Sequence, residues 1–285
     1  MQYQSPASID EAVAALASIG GARVLAGGTD LLVQLRSGTA APAAVIDLKN
    51  IAALRAIAET ADGFRIGAAV CGAEITDHAA LVAAWPGVTE AAGLIGSTQV
   101  QGRASLGGNV CNASPAADTT PALIAAGAVA EIAGPNGKRS IPVEQIATGP
   151  GKTSLARGEI VVSFLLPKRP ARSGDAYLRM IPRTEMDIAV AGAAVNLTLN
   201  DDGTIAGARV GIGAVAPTAL LLADAAGILI GSRLEEAVLA KLAEAAGAAA
   251  NPIDDKRGTI DYRRKVVGVL AKRAALIAYE RAGAR

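Results

Sequence analysis

The alternation of helix-period and strand-period segments, with glycine at nearly every junction, most limits the folds open to this chain. Ser8 and Glu11 form a capping-box pattern ahead of IDEAVAALASI, where Ile9, Val13 and Leu16 share one helical face. Gly20 and Gly21 end that helix. ARVLAG reads as a short buried strand, GTDLLVQLRSG as a turn into a second helix stopped by Gly38, and AVIDLKN as another strand. Residues 1–50 therefore predict a small α/β lobe.

Residues 51–170 predict a larger α/β lobe. LRAIAET and GFRIGAAV flank Asp62-Gly63, a strong hairpin signal. Thr76 is expected to cap a helix through Trp85, stopped by Pro86, with a further helix in GVTEAAGLI. TTPALIAAG predicts a helix with Pro121 near its start. AVAEIAG and KRSIPVE bracket a Pro-Asn-Gly turn, and EIVVSFLLP is a fully apolar strand. KRPARSGD, rich in Pro, Gly and charge, marks a boundary. Residues 175–285 then read as strands around Asp202-Gly203 followed by two amphipathic helices, an α+β domain.

Several function classes are excluded or disfavoured by composition. A chain of 285 residues buries roughly 75% of its unfolded surface, so a core needs no staples. Aromatics are only 2% of residues, so that core is built of Ala, Val, Leu and Ile. A net charge of +1 without a basic stripe gives no nucleic-acid footprint. No apolar run is fit to span a bilayer, and the N-terminus lacks a secretory pattern, so a cytoplasmic location is expected. Two cysteines, Cys71 and Cys111, and one histidine, His78, cannot supply an all-cysteine iron–sulfur cluster or a structural zinc site. His78 is expected to be exposed or to cap a helix rather than to serve a hydrolase triad, since no G-x-S-x-G elbow is present.

Two glycine-rich stretches carry the chemistry: LAGGTDLL (25–32) and SLGGNVCNASPAAD (105–118). Without a Cβ, the main chain approaches an anion closely and points N–H groups at it; a helix N-terminus adds a favourable dipole. Each alone is more often a tight turn, but two in one chain favour a shared pyrophosphate. Asn109, Asn112, Ser114 and Asp118 suit sugar or polyol hydroxyls. GPGKT (149–153) lacks the first glycine of a P-loop, whose place is taken by Ile146. GIGAVA (211–216) matches G-x-G-x-x-A, but Pro217 follows at once, so a packed strand end is expected.

At these residues the sequence resembles a known family. LAGGTDLL, GRASLGGNVCNASPAADTTPAL, GPGKTSLARGEIV, MDIAVAGAAV and NPIDDKRGTIDYRRKVVGVLAKRA, in this order, are similar to the FAD-binding medium subunit of molybdenum hydroxylases, the xanthine dehydrogenase and carbon monoxide dehydrogenase type. The resemblance implies a vanillyl-alcohol oxidase / p-cresol methylhydroxylase-type FAD-binding fold in two α/β lobes, followed by a carbon monoxide dehydrogenase flavoprotein-like C-terminal α+β domain. It implies cofactor contacts from Leu25, Ala26, Gly27, Gly28, Thr29, Asp30 and Leu31. Gly96, Ala104, Ser105, Gly108, Asn109 and Cys111 continue the cradle, joined by Leu155. Asp118 would meet a ribityl or ribose hydroxyl, and Arg179 would approach the flavin. Many relatives have Arg-Asn where this chain has Gln101-Gly102, and a lysine where it has Arg179.

The resemblance further implies an oxidoreductase complex, a dimer of heterotrimers. A large subunit would hold the molybdenum cofactor and a small subunit two [2Fe-2S] clusters. This chain would take electrons onto FAD and pass them to an external acceptor. It would carry no catalytic acid or base and no metal. Two rivals are a cofactor-free binding module and a self-sufficient flavin-dependent oxidase or dehydrogenase of the same fold; the latter lacks an obvious base in this sequence.

Overall fold

The computed structural model describes residues 1–283. The first lobe contains β1 (Gln2–Gln4), α1 (Ile9–Ser18), β2 (Arg23–Leu25), α2 (Leu31–Arg36) and β3 (Ala44–Asp47). Its three strands form a parallel sheet in the order β1-β3-β2. The cap at α1 is present in a shifted form, with the glutamate accepting from the residue before the N-cap. Ser8 Oγ accepts from the Glu11 amide at 3.2 Å, and Glu11 reaches back to the Ala7 amide at 2.8 Å. Ala12, Val13 and Leu16 are the buried face.

The second lobe runs through β4 (Ile57–Thr60), β5 (Gly63–Gly67), α3 (Gly72–Asp77), α4 (Ala79–Ala84), α5 (Pro86–Gly93), α6 (Thr98–Gln101), α7 (Leu106–Asn112) and α8 (Thr119–Ala126). It ends with β6 (Val129–Gly134), β7 (Gly137–Pro142), the short hairpin β8 (Ala147–Gly149) and β9 (Lys152–Thr153), and β10 (Ile160–Pro167). Five of these strands form an antiparallel sheet, β4-β5-β10-β6-β7, with apolar β10 at its centre. The expected helix from Thr76 to Trp85 is instead two helices. His78 breaks them and caps α4, its Nδ1 accepting from the Leu81 amide at 3.2 Å, while Thr76 bonds back to the Ala73 carbonyl. α4 ends at Ala84 with Trp85 as its C-cap, directly before Pro86 as expected, and Pro86 also starts α5 at the position where a missing N–H costs nothing.

The C-terminal domain contains β11 (Ser173–Met180), β12 (Ala191–Leu199), β13 (Ile205–Gly213), β14 (Leu220–Leu221), α9 (Ala223–Leu229), α10 (Glu236–Ala249) and α11 (Ile260–Gly283). Its four strands form an antiparallel sheet in chain order, and α11 packs on β11 and β12. Helix α8 lies between the second lobe and this sheet, touching β12 and β13. All eight of its residues are buried, which suits a helix apolar on every side. GIGAVA is a packed strand end, as expected: a Cβ at Gly211 would sit 2.3 Å from the Pro121 carbonyl oxygen of α8.

Ion pairs fasten the same junction. Arg169 lies over the Trp85 ring at 4.4 Å and pairs with buried Asp175 at 2.7 Å. Asp175 also accepts from the Gly87 amide at 2.9 Å, and Arg281 of α11 pairs with Glu90 of α5. Among the described residues no helix is long and apolar enough to cross a membrane, and no group of three His, Cys, Asp or Glu is placed to hold a metal.

Candidate functional site

The two glycine stretches meet. The loop after β2 (residues 26–30) and the start of α7 face one another across a cavity of about 490 Å³ between the lobes. That volume falls in the range of small-molecule and cofactor sites. A Cβ at Gly27 would lie 1.9 Å from the Arg103 carbonyl oxygen, so the absence of a side chain lets the loops touch. Gly28 has φ +80°, a left-handed conformation that favours glycine. On the facing wall, the Gly107 amide donates to the Ala68 carbonyl at 3.0 Å, where a Cβ would fall 2.5 Å from the same oxygen.

Among the described residues, the amides of Gly27, Gly28, Thr29 and Asp30 have no hydrogen-bond partner within the chain. A run of free donors on a glycine loop is an anion-binding concavity. Helices α2 and α7 have only six and seven residues, so local amides, more than a macrodipole, do this work. Ser105 caps α7, its Oγ accepting from the Gly108 amide at 3.1 Å. Asn109 is fixed by Thr119, whose hydroxyl donates to its Oδ1 at 2.6 Å.

Of the residues singled out from sequence, Ala26, Gly27, Gly28, Thr29, Asp30 and Leu31 line this cavity from one side. Ala104, Ser105, Gly108, Asn109, Cys111 and Leu155 line it from the other. Four do not. Leu25 is buried beneath the loop, with a Cδ1 facing Gly28. Gly96 sits beside the lining residue Ile95, with φ +59° and its carbonyl accepting from Met186.

Asp118 and Arg179 are paired with each other at 2.7 Å, and Tyr177 donates to the second Asp118 oxygen at 2.8 Å. Neither Asp118 nor Arg179 is among the residues that line the cavity. Both Asp118 oxygens are occupied, and both charged side chains are nearly sequestered. Burial is the largest influence on Asp118 and raises its carboxyl, opposed by the charge of Arg179 and the Tyr177 bond. Burial likewise lifts the Tyr177 phenol well above its ordinary value. At the cavity wall, desolvation raises Asp30 and pushes the Cys111 thiol up to about 12.

Sequence reasoning missed part of the wall. Gly151 and Thr153 line it from the tip of the β8–β9 hairpin, where the Gly151 amide donates to the Ala113 carbonyl at 3.0 Å. The signal was present in GPGKT, which is a cavity-lining hairpin and not a nucleotide triphosphate loop. Gln34, which no local pattern foretells, also lines the cavity and bonds across the lobes at 3.4 Å to Asn112, a lining residue that the sequence did single out.

The comparisons agree with this geometry. Residues 1–169 match the model of the FAD binding domain in molybdopterin dehydrogenase, and residues 176–278 that of the CO dehydrogenase flavoprotein C-terminal domain. The chain is 33% identical to the carbon monoxide dehydrogenase medium chain of Hydrogenophaga pseudoflava, covering 98% of this chain and 97% of that one. It is 30% identical to the xanthine dehydrogenase FAD-binding subunit of Escherichia coli O157:H7, covering 99% and 97%. It superposes with a TM-score of 0.95 on a chain of the reconstituted CO dehydrogenase from Oligotropha carboxidovorans, at 33% identity over 99% of this chain and 98% of that one. The chain thus belongs to the family of FAD-binding medium subunits of molybdenum hydroxylases.

Proposed function

We propose that FAD lies along the cavity between the two lobes, with its diphosphate on the free amides of Gly27 to Asp30. That run of unpartnered donors, facing a second glycine turn across the cavity, carries the assignment. Charge-assisted hydrogen bonds of this kind are worth about 1.5–3 kcal/mol each, so several hold a diphosphate without a dedicated lysine. Bound there, FAD supplies a redox centre that accepts and releases electrons singly or in pairs.

The chain's own work is to hold and tune that group. Ser105 and Asn109, fixed by their own hydrogen bonds, shape the second wall. Leu16, Leu31, Leu48 and Ile160 exclude water along it. Electrons would arrive from [2Fe-2S] clusters on a small subunit, after substrate oxidation at a molybdenum cofactor on a large one. They would leave to an external acceptor. The assembly would be a dimer of heterotrimers in the cytoplasm, where a reducing milieu suits the free thiols of Cys71 and Cys111.

The test is co-expression with its partner chains and isolation of the complex. A flavin spectrum, with FAD released on denaturation and reduced when substrate is added to the complex, is the expected result. Protein that stays colourless with excess FAD and gains no thermal stability from it refutes the proposal.

A further inference from the structure

We propose that Lys49 is a positioning residue that sets the orientation of the first glycine loop for FAD. The inference rests on the FAD reading above. Lys49 follows β3, and its Nζ donates to both oxygens of Asp47, at 2.7 and 2.8 Å, and to the Ala26 carbonyl oxygen at 3.2 Å. Asp47 is buried and accepts two more bonds, from the Lys49 amide at 3.0 Å and the Tyr3 hydroxyl at 2.6 Å. The ammonium is thus anchored on a rigid strand end and reaches across to a cavity-lining residue.

The consequence follows from peptide geometry. In a planar trans peptide the C=O and N–H point in opposite directions. By drawing the Ala26 carbonyl toward itself, Lys49 turns the Gly27 N–H of the same peptide the other way. That N–H begins the run of free donors, and Gly27 lines the cavity. Lys49 also leaves a half-exposed positive charge behind the loop that would carry a diphosphate. A role limited to neutralising Asp47 would need no bond to Ala26.

The experiment separates these roles. Apo-protein is titrated with FAD, and separately with ADP as a diphosphate probe, and its melting temperature is recorded without ligand. Three variants are compared with the parent: the double variant Lys49→Met/Asp47→Asn, which removes both charges together, then Lys49→Arg, and Tyr3→Phe. The double variant is expected to bind FAD and ADP about tenfold more weakly while melting close to the parent. Lys49→Arg, which keeps a donor for Ala26, is expected within threefold of the parent, and Tyr3→Phe within twofold. Affinity of the double variant within twofold of the parent overturns the proposal. So does a loss that Lys49→Arg fails to restore, or one that Tyr3→Phe reproduces. Should the double variant not fold, amide exchange at Gly27 in Lys49→Arg and Tyr3→Phe decides: fast exchange in Tyr3→Phe with FAD bound overturns it. A parent that binds neither probe counts against the FAD reading itself.

Discussion

Replacing Gly27 by alanine tests the meeting of the two loops. The new Cβ would lie 1.9 Å from the Arg103 carbonyl oxygen, 2.5 Å from its carbon and 3.1 Å from the Ala104 nitrogen. All three are backbone atoms, so no side chain swings aside. Overpacking of this kind costs about 1–3 kcal/mol. The two loops belong to different lobes, so the free protein relieves the clash by parting them slightly. A ligand gripped by both loops must draw them together again and bears the cost. At 1.4 kcal/mol per tenfold, FAD affinity falls by about 5- to 150-fold. Equilibrium titration of apo-protein, read by flavin fluorescence, measures it. Gly207→Ala is the control, since nothing lies within 4 Å of its Cβ and it should bind like the parent. Gly27→Ala binding FAD within twofold of the parent would show that the loops do not share a ligand.

Other outcomes follow from the buried charges and the thiol. Asp118→Asn leaves the Arg179 guanidinium buried without its counter-charge and should lower stability by about 3–5 kcal/mol in urea unfolding; a shift below 1 kcal/mol refutes the pairing. Burial raises Asp47, but the bonds from Lys49 and Tyr3 outweigh it and hold the carboxyl below its ordinary value. A depressed carboxyl contributes stability above its unfolded pKa and loses it as pH falls through the folded value. Asp47→Asn should therefore flatten the acid limb of melting temperature against pH, and an unchanged limb contradicts the assignment. Cys111, pushed up to about 12 by burial, should resist iodoacetamide at pH 8 until the protein is denatured; rapid native labelling mapped to it by peptide mass shows otherwise.

Much of the fold is legible because local signals and tertiary packing agree. Ser8 with Glu11, the glycines after α1 and α2, and the apolar run of β10 each act as their chemistry dictates. The failures have physical causes. Polar, three-residue β1 has no periodicity to find. The stretch KRPARSGD reads as a linker, yet β11 begins within it at Ser173. Gly174 is there for contact: a Cβ would sit 2.0 Å from the Ala278 carbonyl oxygen of α11. His78, and not Thr76, caps a helix because its ring reaches the Leu81 amide while packing edge-on to Phe64. The site was legible where glycine betrays a close backbone approach. Asp118 was assigned a hydroxyl partner by chemistry alone, and the chain itself supplies one in Tyr177 of β11.

Amide hydrogen exchange with and without FAD measures convergence most directly. The account predicts that residues 27–30 and 105–109 both gain protection on addition of FAD, to the same ligand concentration midpoint. Protection of one segment without the other, or of neither while FAD is bound, would contradict it.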